Sequence, residues 1–452
     1  MPANKEILAL NAFDPRAAGK LDAALGAAVD TRLSHFGERS VLFYERPIRM
    51  ARAEGVHMFD VEGRRYLDVY NNVPAVGHSH PRVVEAIARQ AGRLNTHTRY
   101  LNDVVDAYAE RLLATFPAPI RRLALTCTGS EANDLALRIA TTATGGAGFV
   151  VTEAAYHGNT AAVSEVSPSS RPNRPLAAHV RAVPAPDAYR AATADLGQRF
   201  AASIEAAIDD LEANGVRFAG LLVDSIFSSD GVFADPPGFL TAAVEAVHRR
   251  GGLFIADEVQ PGFGRTGAMW GFTRHGVVPD IVTMGKPMGN GFPMAGVATR
   301  AELLDRFAAE VRYFNTFGGN TVAAAAGLAV LDVLSDEGLI ENAAATGGYL
   351  IEGLRALANR RQAIGEVRGA GLFIGVELVH DRQTKTPAPE MATAMINLLR
   401  DRGVLIGAAG AFGATLKVRP PLPFAPADAD QLLEACDAAL GEIAASHGKN
   451  PA

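Results

Sequence analysis

Six short apolar runs recur along the first two thirds of the chain: Leu123–Cys127, Phe149–Thr152, Ala219–Asp224, Leu253–Asp257, Ile281–Met284 and Ala295–Ala298. Several are apolar on both faces, so both faces of such a strand must be covered. Helical patterns between many of them supply the cover. This alternation predicts an α/β domain built on a mostly parallel sheet. With 452 residues, 48% of them hydrophobic and 20% charged, the chain can bury a large core, and wholesale disorder is excluded.

The remaining segments predict smaller units. His57–Asp60 and Arg65–Asp68 flank the turn Val61-Glu62-Gly63-Arg64, a hairpin signal behind a helical N-terminal arm. Thr321–Leu334 reads as a buried helix. Beyond about Asn342 the pattern becomes helix, then strands (Glu366–Glu377, Val404–Ile406, Leu416–Arg419), then a last helix near Ala427–Ile443 opened by Pro426. The expected division is an arm and part of a small α+β unit over 1–60, a large domain over 61–320 and a C-terminal small domain over 321–452. Ser167–Pro175 reads as a Pro-rich surface loop.

Composition narrows the function classes. Lys plus Arg is 43 against 49 Asp plus Glu, a net charge of −6, which argues against general nucleic-acid affinity or a polybasic membrane surface. Two cysteines, Cys127 and Cys436, cannot build a disulfide framework. Ile7–Phe13 is apolar but lacks the other parts of a signal peptide. The uncharged stretch Tyr313–Leu331 is too polar in its first half to span a bilayer. A cytoplasmic protein is expected.

Four motifs carry chemistry. In Cys127-Thr128-Gly129-Ser130-Glu131-Ala132-Asn133 a strand gives way to an amphipathic helix, with Ala132, Leu135, Ala136, Ile139 and Ala140 on one face. Its first turn is either a phosphate site or simply a helix capped by Ser130. Leu253-Phe254-Ile255-Ala256-Asp257-Glu258 ends a buried strand in two acids, where open α/β sheets bind ligands. Asp257 could pair with a cationic ring nitrogen or cap something local. A metal is disfavoured because no histidine cluster joins it, and His78-Ser79-His80 reads as a loop feature.

Gly262-x-Gly264-x-x-Gly267 matches the dinucleotide pattern, but Pro261 intervenes, no amphipathic helix follows, and Asp280 lies too close for the ribose-binding acid. A glycine-rich turn beside a ligand fits better. Finally, Lys286 follows an apolar strand inside Met284-Gly285-Lys286-Pro287-Met288-Gly289-Asn290-Gly291. A lysine desolvated there loses proton affinity and becomes a nucleophilic amine. A phosphate cradle, an acid for a pyridinium nitrogen and a Schiff-base lysine together describe pyridoxal 5′-phosphate chemistry.

From about Tyr44 to Leu440 the sequence resembles the class III aminotransferases, which have the pyridoxal-phosphate fold type I. The resemblance rests on Thr128-Gly129-Ser130-Glu131-Ala132-Asn133, the run from Asp257 through Gln260 to Gly267, and Met284-Gly285-Lys286, in that order. It implies a large cofactor-binding domain with a mostly parallel seven-stranded sheet covered by helices, and a smaller α+β domain from the N- and C-terminal segments. It implies that Lys286 forms the Schiff base and moves protons, and that Asp257 keeps the pyridine nitrogen protonated. Val259 and Tyr156 would sandwich the ring, with His157 and Gln260 also in contact. Gly129 and Ser130 would bind the phosphate. Thr316 would reach the cofactor phosphate of a partner subunit, making a homodimer with shared sites. Arg419 matches the family's substrate-anion arginine, and Lys417 stands beside it as a further candidate.

One stretch departs from the family. Many members carry Glu-Pro-x-x-Gly-Glu-x-Gly where this chain has Asp224-Ser225-Ile226-Phe227-Ser228-Ser229-Asp230-Gly231, so Ser229 stands in place of a gating glutamate. The stretches Asn71–Pro81, Leu94-Asn95-Thr96 and Met284–Gly291 are more similar to the ethanolamine-phosphate phospho-lyases of the same class. The expected activity is elimination of phosphate and ammonia from O-phosphoethanolamine-like amino phosphates. The alternative is an amine aminotransferase with a keto-acid acceptor. The intact Lys286 and Asp257 leave little room for a non-catalytic binding protein.

Overall fold

The computed structural model describes residues 10–37, 41–171, 174–191 and 195–447. Part of the Ile7–Phe13 run, and Pro172 and Asn173 of the Pro-rich stretch, lie outside the described residues.

The centre is a seven-stranded sheet in the order Ile120–Thr126, Ala295–Arg300, Ile281–Met284, Leu253–Asp257, Phe218–Asp224, Gly148–Thr152, Val180–Val183. Ala295–Arg300 runs antiparallel to both neighbours, and the other pairings are parallel. Alternate side chains enter different cores. Phe149, Val151, Leu222, Ile255 and Ile281 pack with Ala132, Leu135 and Ile139 of helix Gly129–Thr144. Val150, Leu221, Val223, Phe254 and Val282 pack on the opposite face with Phe200, Ile204, Val244 and Val247 of two other helices. Both faces are therefore covered, as strands apolar on both faces require.

All six expected strands are present, with ends shifted by a few residues. The seventh, Val180–Val183, sits at the sheet edge and carries Arg181 in its middle, which hides its apolar character. The expected hairpin occurs at His57–Asp60 and Arg65–Asp68, and the expected helices occur at Thr321–Asp336 and Pro426–His447. The Glu366–Glu377 run is two antiparallel strands, Ile364–Ala370 and Phe373–Asp381. Gly371 turns between them at φ +54, a left-handed conformation that suits glycine.

Two further sheets flank the centre. Ile364–Ala370, Phe373–Asp381, Thr415–Val418 and Gly407–Ala409 form one, with Thr386–Pro387 pairing on its side. Met50–Glu54, His57–Asp60 and Arg65–Asp68 form the other, completed by Val404–Leu405 in parallel with Leu67 and Asp68. Among the described residues no helix is long and apolar enough to cross a membrane.

The Pro-rich stretch is not all surface. Ser167 and Ser169 are buried. The Ser167 hydroxyl accepts from His157 N at 2.9 Å, and the Ser169 hydroxyl donates to Ala155 O at 2.8 Å. These hydroxyls satisfy the backbone of the neighbouring loop 154–158, so the segment turns inward there.

Candidate active site

Strand Leu253–Asp257 delivers Asp257 to the carboxyl end of the sheet, where helix Gly129–Thr144 begins. The helix opens with a capping box. Thr128 Oγ1 accepts from Glu131 N at 3.1 Å, and Glu131 Oε2 accepts from Thr128 N at 2.9 Å. The cap is thus Thr128, not Ser130 as the plainer reading had it. The Ser130 hydroxyl instead accepts from Asn159 N at 3.1 Å, which leaves its proton free to donate. The amides of Gly129 and Ser130 have no acceptor within the helix, as first-turn amides do not. A Cβ at Gly129 would stand 3.1 Å from Val259 Cγ2, and one at Gly158 only 2.5 Å from Ser130 Oγ, so both glycines keep this cradle open.

The Asp257 carboxylate is held on both oxygens. Oδ2 lies 2.7 Å from His157 Nδ1 and accepts from Asn133 Nδ2 at 3.0 Å. Oδ1 accepts from Val259 N at 3.1 Å. Asn133 also donates to His157 O at 2.8 Å, and Thr283 Oγ1 donates to Asn133 Oδ1 at 2.7 Å. A carboxylate so bound can neither rotate nor leave. The second acid, Glu258, faces the other way. It accepts from Ser225 Oγ at 2.6 Å and from the amides of Gly271 and Phe272, and burial pushes its carboxyl up to about 7.

Lys286 follows strand Ile281–Met284 and opens a single turn over 286–289. Burial, with Arg419 nearby, lowers the proton affinity of its amine against the pull of Asp257 and Asp224. Asn290 anchors the turn by accepting from Val76 N at 3.0 Å and donating to Gly77 O at 2.8 Å.

Gly129, Ser130, Tyr156, His157, Gly158, Asp224, Asp257, Val259, Gln260 and Lys286 line one cavity of about 120 Å³. Eight of the nine expected cofactor contacts are among them. The ninth, Thr316, is exposed on the loop before helix Thr321–Asp336 and does not line this cavity. Arg419 reaches the site through Gln260. Its Nη1 donates to Gln260 Oε1 at 2.6 Å, and its guanidinium lies 4.4 Å from the Tyr70 ring centroid. Gln260 Nε2 donates to Ser228 Oγ at 2.7 Å, and Ser228 in turn donates to Asp224. Lys417 is buried with its ammonium 5.3 Å from the Phe373 ring centroid, and burial beside Arg419 depresses its proton affinity strongly.

Gly262, Gly264 and Gly267 do not line the cavity. A Cβ at 264 or 267 would meet Ile340 or Ala344 at 2.9 Å, so that turn is tight because it packs on helix Leu339–Arg360. His78 and His80 each face a carboxylate, Asp68 at 2.7 Å and Glu337 at 3.0 Å. Among the described residues no group of three or more His, Cys, Asp or Glu is gathered as a metal site would be.

Sequence reasoning gave no role to Asn133, Thr283, Ser228 or Asp224. Asn133 left a signal: it lies three and seven residues before Ala136 and Ala140, a polar side chain on the apolar stripe of its helix.

The donor set fits pyridoxal 5′-phosphate. The cavity brings together a low-affinity amine, an immobilised carboxylate, and a helix N-terminus with a free serine proton. The buried His157 Nε2 has no partner among the described residues, so the wall is not self-satisfied.

Residues 43–440 match the family model described as Aminotransferase class-III. An Arabidopsis thaliana protein, alanine–glyoxylate aminotransferase 2 homolog 2, mitochondrial, is 41% identical over 88% of this chain and 84% of its own length. Ethanolamine-phosphate phospho-lyase homolog 1 of Caenorhabditis elegans is 38% identical over 87% of this chain and 88% of its own. A phospholyase from Arthrobacter, solved in complex with phosphoethanolamine, superposes with a TM-score of 0.89 at 44% identity, covering 92% of this chain and 99% of that one. This chain is a pyridoxal-phosphate-dependent enzyme and belongs to the class III aminotransferase family.

Proposed function

We propose that the enzyme is a phospho-lyase that eliminates phosphate and ammonia from O-phosphoethanolamine or a similar amino phosphate. The observation that carries this reading is the state of Arg419. It is 8% exposed, its Nη1 donates to neutral amide oxygens of Gln260 and Asn72, and its Nε is buried without an acceptor among the described residues. Among the described residues no carboxylate pairs with it, and Ser229 stands where many members of the family carry a gating glutamate. A buried cation with open donors suits a substrate whose tail is a phosphate dianion. The likeness to the Arthrobacter phospholyase supports the same reading.

Bound pyridoxal 5′-phosphate supplies an electron sink for the pair left when a proton departs from the carbon next to the substrate nitrogen. Lys286 Nζ takes that proton, and its depressed affinity keeps enough neutral amine to do so. Asp257 would hold the ring nitrogen, with His157 and Asn133 keeping the carboxylate aimed. Gly129 and Ser130 would hold the cofactor phosphate, and Tyr156 and Val259 would confine the ring. Arg419 draws the substrate phosphate. The bond from carbon to the phosphate-bearing oxygen breaks, with its electron pair leaving on that oxygen. Overall one water enters, and an aldehyde, ammonia and inorganic phosphate leave.

Phosphate release from O-phosphoethanolamine in the absence of any keto acid is the test. A second reading, an amine transaminase, is favoured by the 41% identity to the Arabidopsis alanine–glyoxylate aminotransferase 2 homolog. It takes over if no phosphate appears while simple amines bleach the cofactor absorbance and pyruvate restores it. We also propose a homodimer in which Thr316 reaches the partner's site. The exposure of Phe314 (44%) and Phe317 (70%) beside it supports a covering partner. The division at about 60 and 320 and a cytoplasmic location complete the proposal.

A further inference from the structure

A polar cavity of about 150 Å³ lies outside the candidate active site. Four parts of the fold bound it: the N-terminal end of helix Ala23–Phe36, the segment 46–49, the hairpin turn after His57–Asp60, and the end of helix Pro389–Asp401. Arg46, Arg49, Arg64 and Arg400 all face it. Arg400 is the informative one. It is 8% exposed, and its Nη1 donates to Asp401 Oδ1 at 2.7 Å. Its Nε is buried with no acceptor among the described residues. A buried charged donor left open is costly unless something fills the space before it.

Two of the three acids that line it are already engaged. Asp22 Oδ1 accepts from Leu25 N at 3.0 Å, and its Oδ2 pairs with Arg46 at 2.8 Å. Asp60 Oδ1 accepts from the amides of Glu62 and Arg64, and its Oδ2 accepts from Tyr66 OH at 3.0 Å. Glu62 is exposed at the rim. Arg64 donates to Asp401 O and lies 5.1 Å from the Tyr66 ring centroid. Ala24 also lines the space, in the first helical turn, where amides have no intrahelical acceptor and the helix dipole is positive.

We infer that this cavity is a second anion site, taking a tetrahedral oxyanion in the form of inorganic phosphate or a small phosphate monoester. Arg400 forms its floor, and Arg49 and Arg64 close its rim. Cations approaching from three parts of the fold, with the Ala24 amide beside them, match the spread charge of a phosphate better than the single plane of a carboxylate. The inference does not depend on which reaction the active site performs.

The test is calorimetric titration of the cofactor-loaded, full-length enzyme with inorganic phosphate, glycerol 3-phosphate and acetate in turn. The wild type should show a saturable phosphate site that weakens at least tenfold in Arg400→Met and in Arg49→Ala. Arg49 is exposed, so Arg49→Ala keeps the test decisive if Arg400→Met fails to fold. Arg49→Ala should also leave turnover unchanged, which separates this site from the active one. Preference for glycerol 3-phosphate assigns a monoester, and preference for inorganic phosphate assigns the free ion. Phosphate isotherms unaltered by Arg49→Ala, no saturable phosphate binding to the wild type, or acetate binding as tightly as phosphate would each overturn the inference.

Discussion

Asp230→Asn should make the enzyme's stability less dependent on pH. Asp230 sits in the 224–231 stretch that departs from the family pattern, and it ties that stretch to the loop carrying Tyr156 and His157. Its Oδ2 accepts from Thr152 Oγ1 at 2.8 Å and its Oδ1 from Ala154 N at 3.1 Å. Burial outweighs both bonds and raises its carboxyl from 3.8 to about 7. The folded state therefore holds a proton that the unfolded state has lost across that interval. Stability from this group falls as pH rises through it, the reverse of the usual salt-bridged aspartate.

Between pH 5 and pH 8 those two pKa values give a loss of about 3 kcal/mol in the wild type. Asparagine does not titrate, so the variant escapes that loss. Any fixed penalty from a poorer hydrogen bond is the same at both pH values and cancels in the difference. At ~2.1 cal/mol/K per residue over the whole chain, about 3 kcal/mol is worth about 3 °C. Thermal melts of both proteins at pH 5 and pH 8 measure this. The gap between variant and wild type should move by about 3 °C in the variant's favour on going to pH 8. A gap that stays constant within about 1 °C, or moves the other way, would refute the reasoning.

Three other substitutions probe the site. Lys286→Ala should abolish the Schiff-base absorbance of the purified protein and cut turnover at least ~10³-fold. Asn133→Ala removes one donor to Asp257 and one to His157 O. At about 1.5–3 kcal/mol for a bond to a charged group, cofactor dissociation should rise roughly 10- to 150-fold, measured by dialysis against apo-protein absorbance. Ser229→Glu places a carboxylate where many members of the family carry one. It should raise KM for O-phosphoethanolamine at least tenfold with a smaller change in kcat, and unchanged kinetics would remove Ser229 from the specificity argument.

The sequence already displayed what depends on single residues and short spacing. Lys286 and Asp257 could be placed in one crevice because each ends a buried strand, and strand ends of a parallel sheet face the same side. What stayed hidden depends on pairing across long separations. The hydrogen bonds that fix Asp257 join residues 133, 157 and 257, and no local pattern announces them. Ser130 looked like a helix cap because serine favours that position. Thr128 and Glu131 took the role through a reciprocal pair that frees the serine. The Gly262–Gly267 turn looked ligand-directed because glycine also marks close backbone approach. Here the approaching body is a helix.

The strand pair Leu67–Asp68 with Val404–Leu405 sets an order of assembly. Some 337 residues separate Leu67 from Val404. At about 5–20 residues per second on the ribosome, the early hairpin waits roughly 20 to 70 seconds for its last strand. Arg419 emerges later still, and its amide then docks on Val69 O at 2.9 Å, against the strand that has just been completed. The wall that carries Arg419 is therefore among the last pieces to lock, and a chain released short of that point would have Lys286 and Asp257 in place without Arg419.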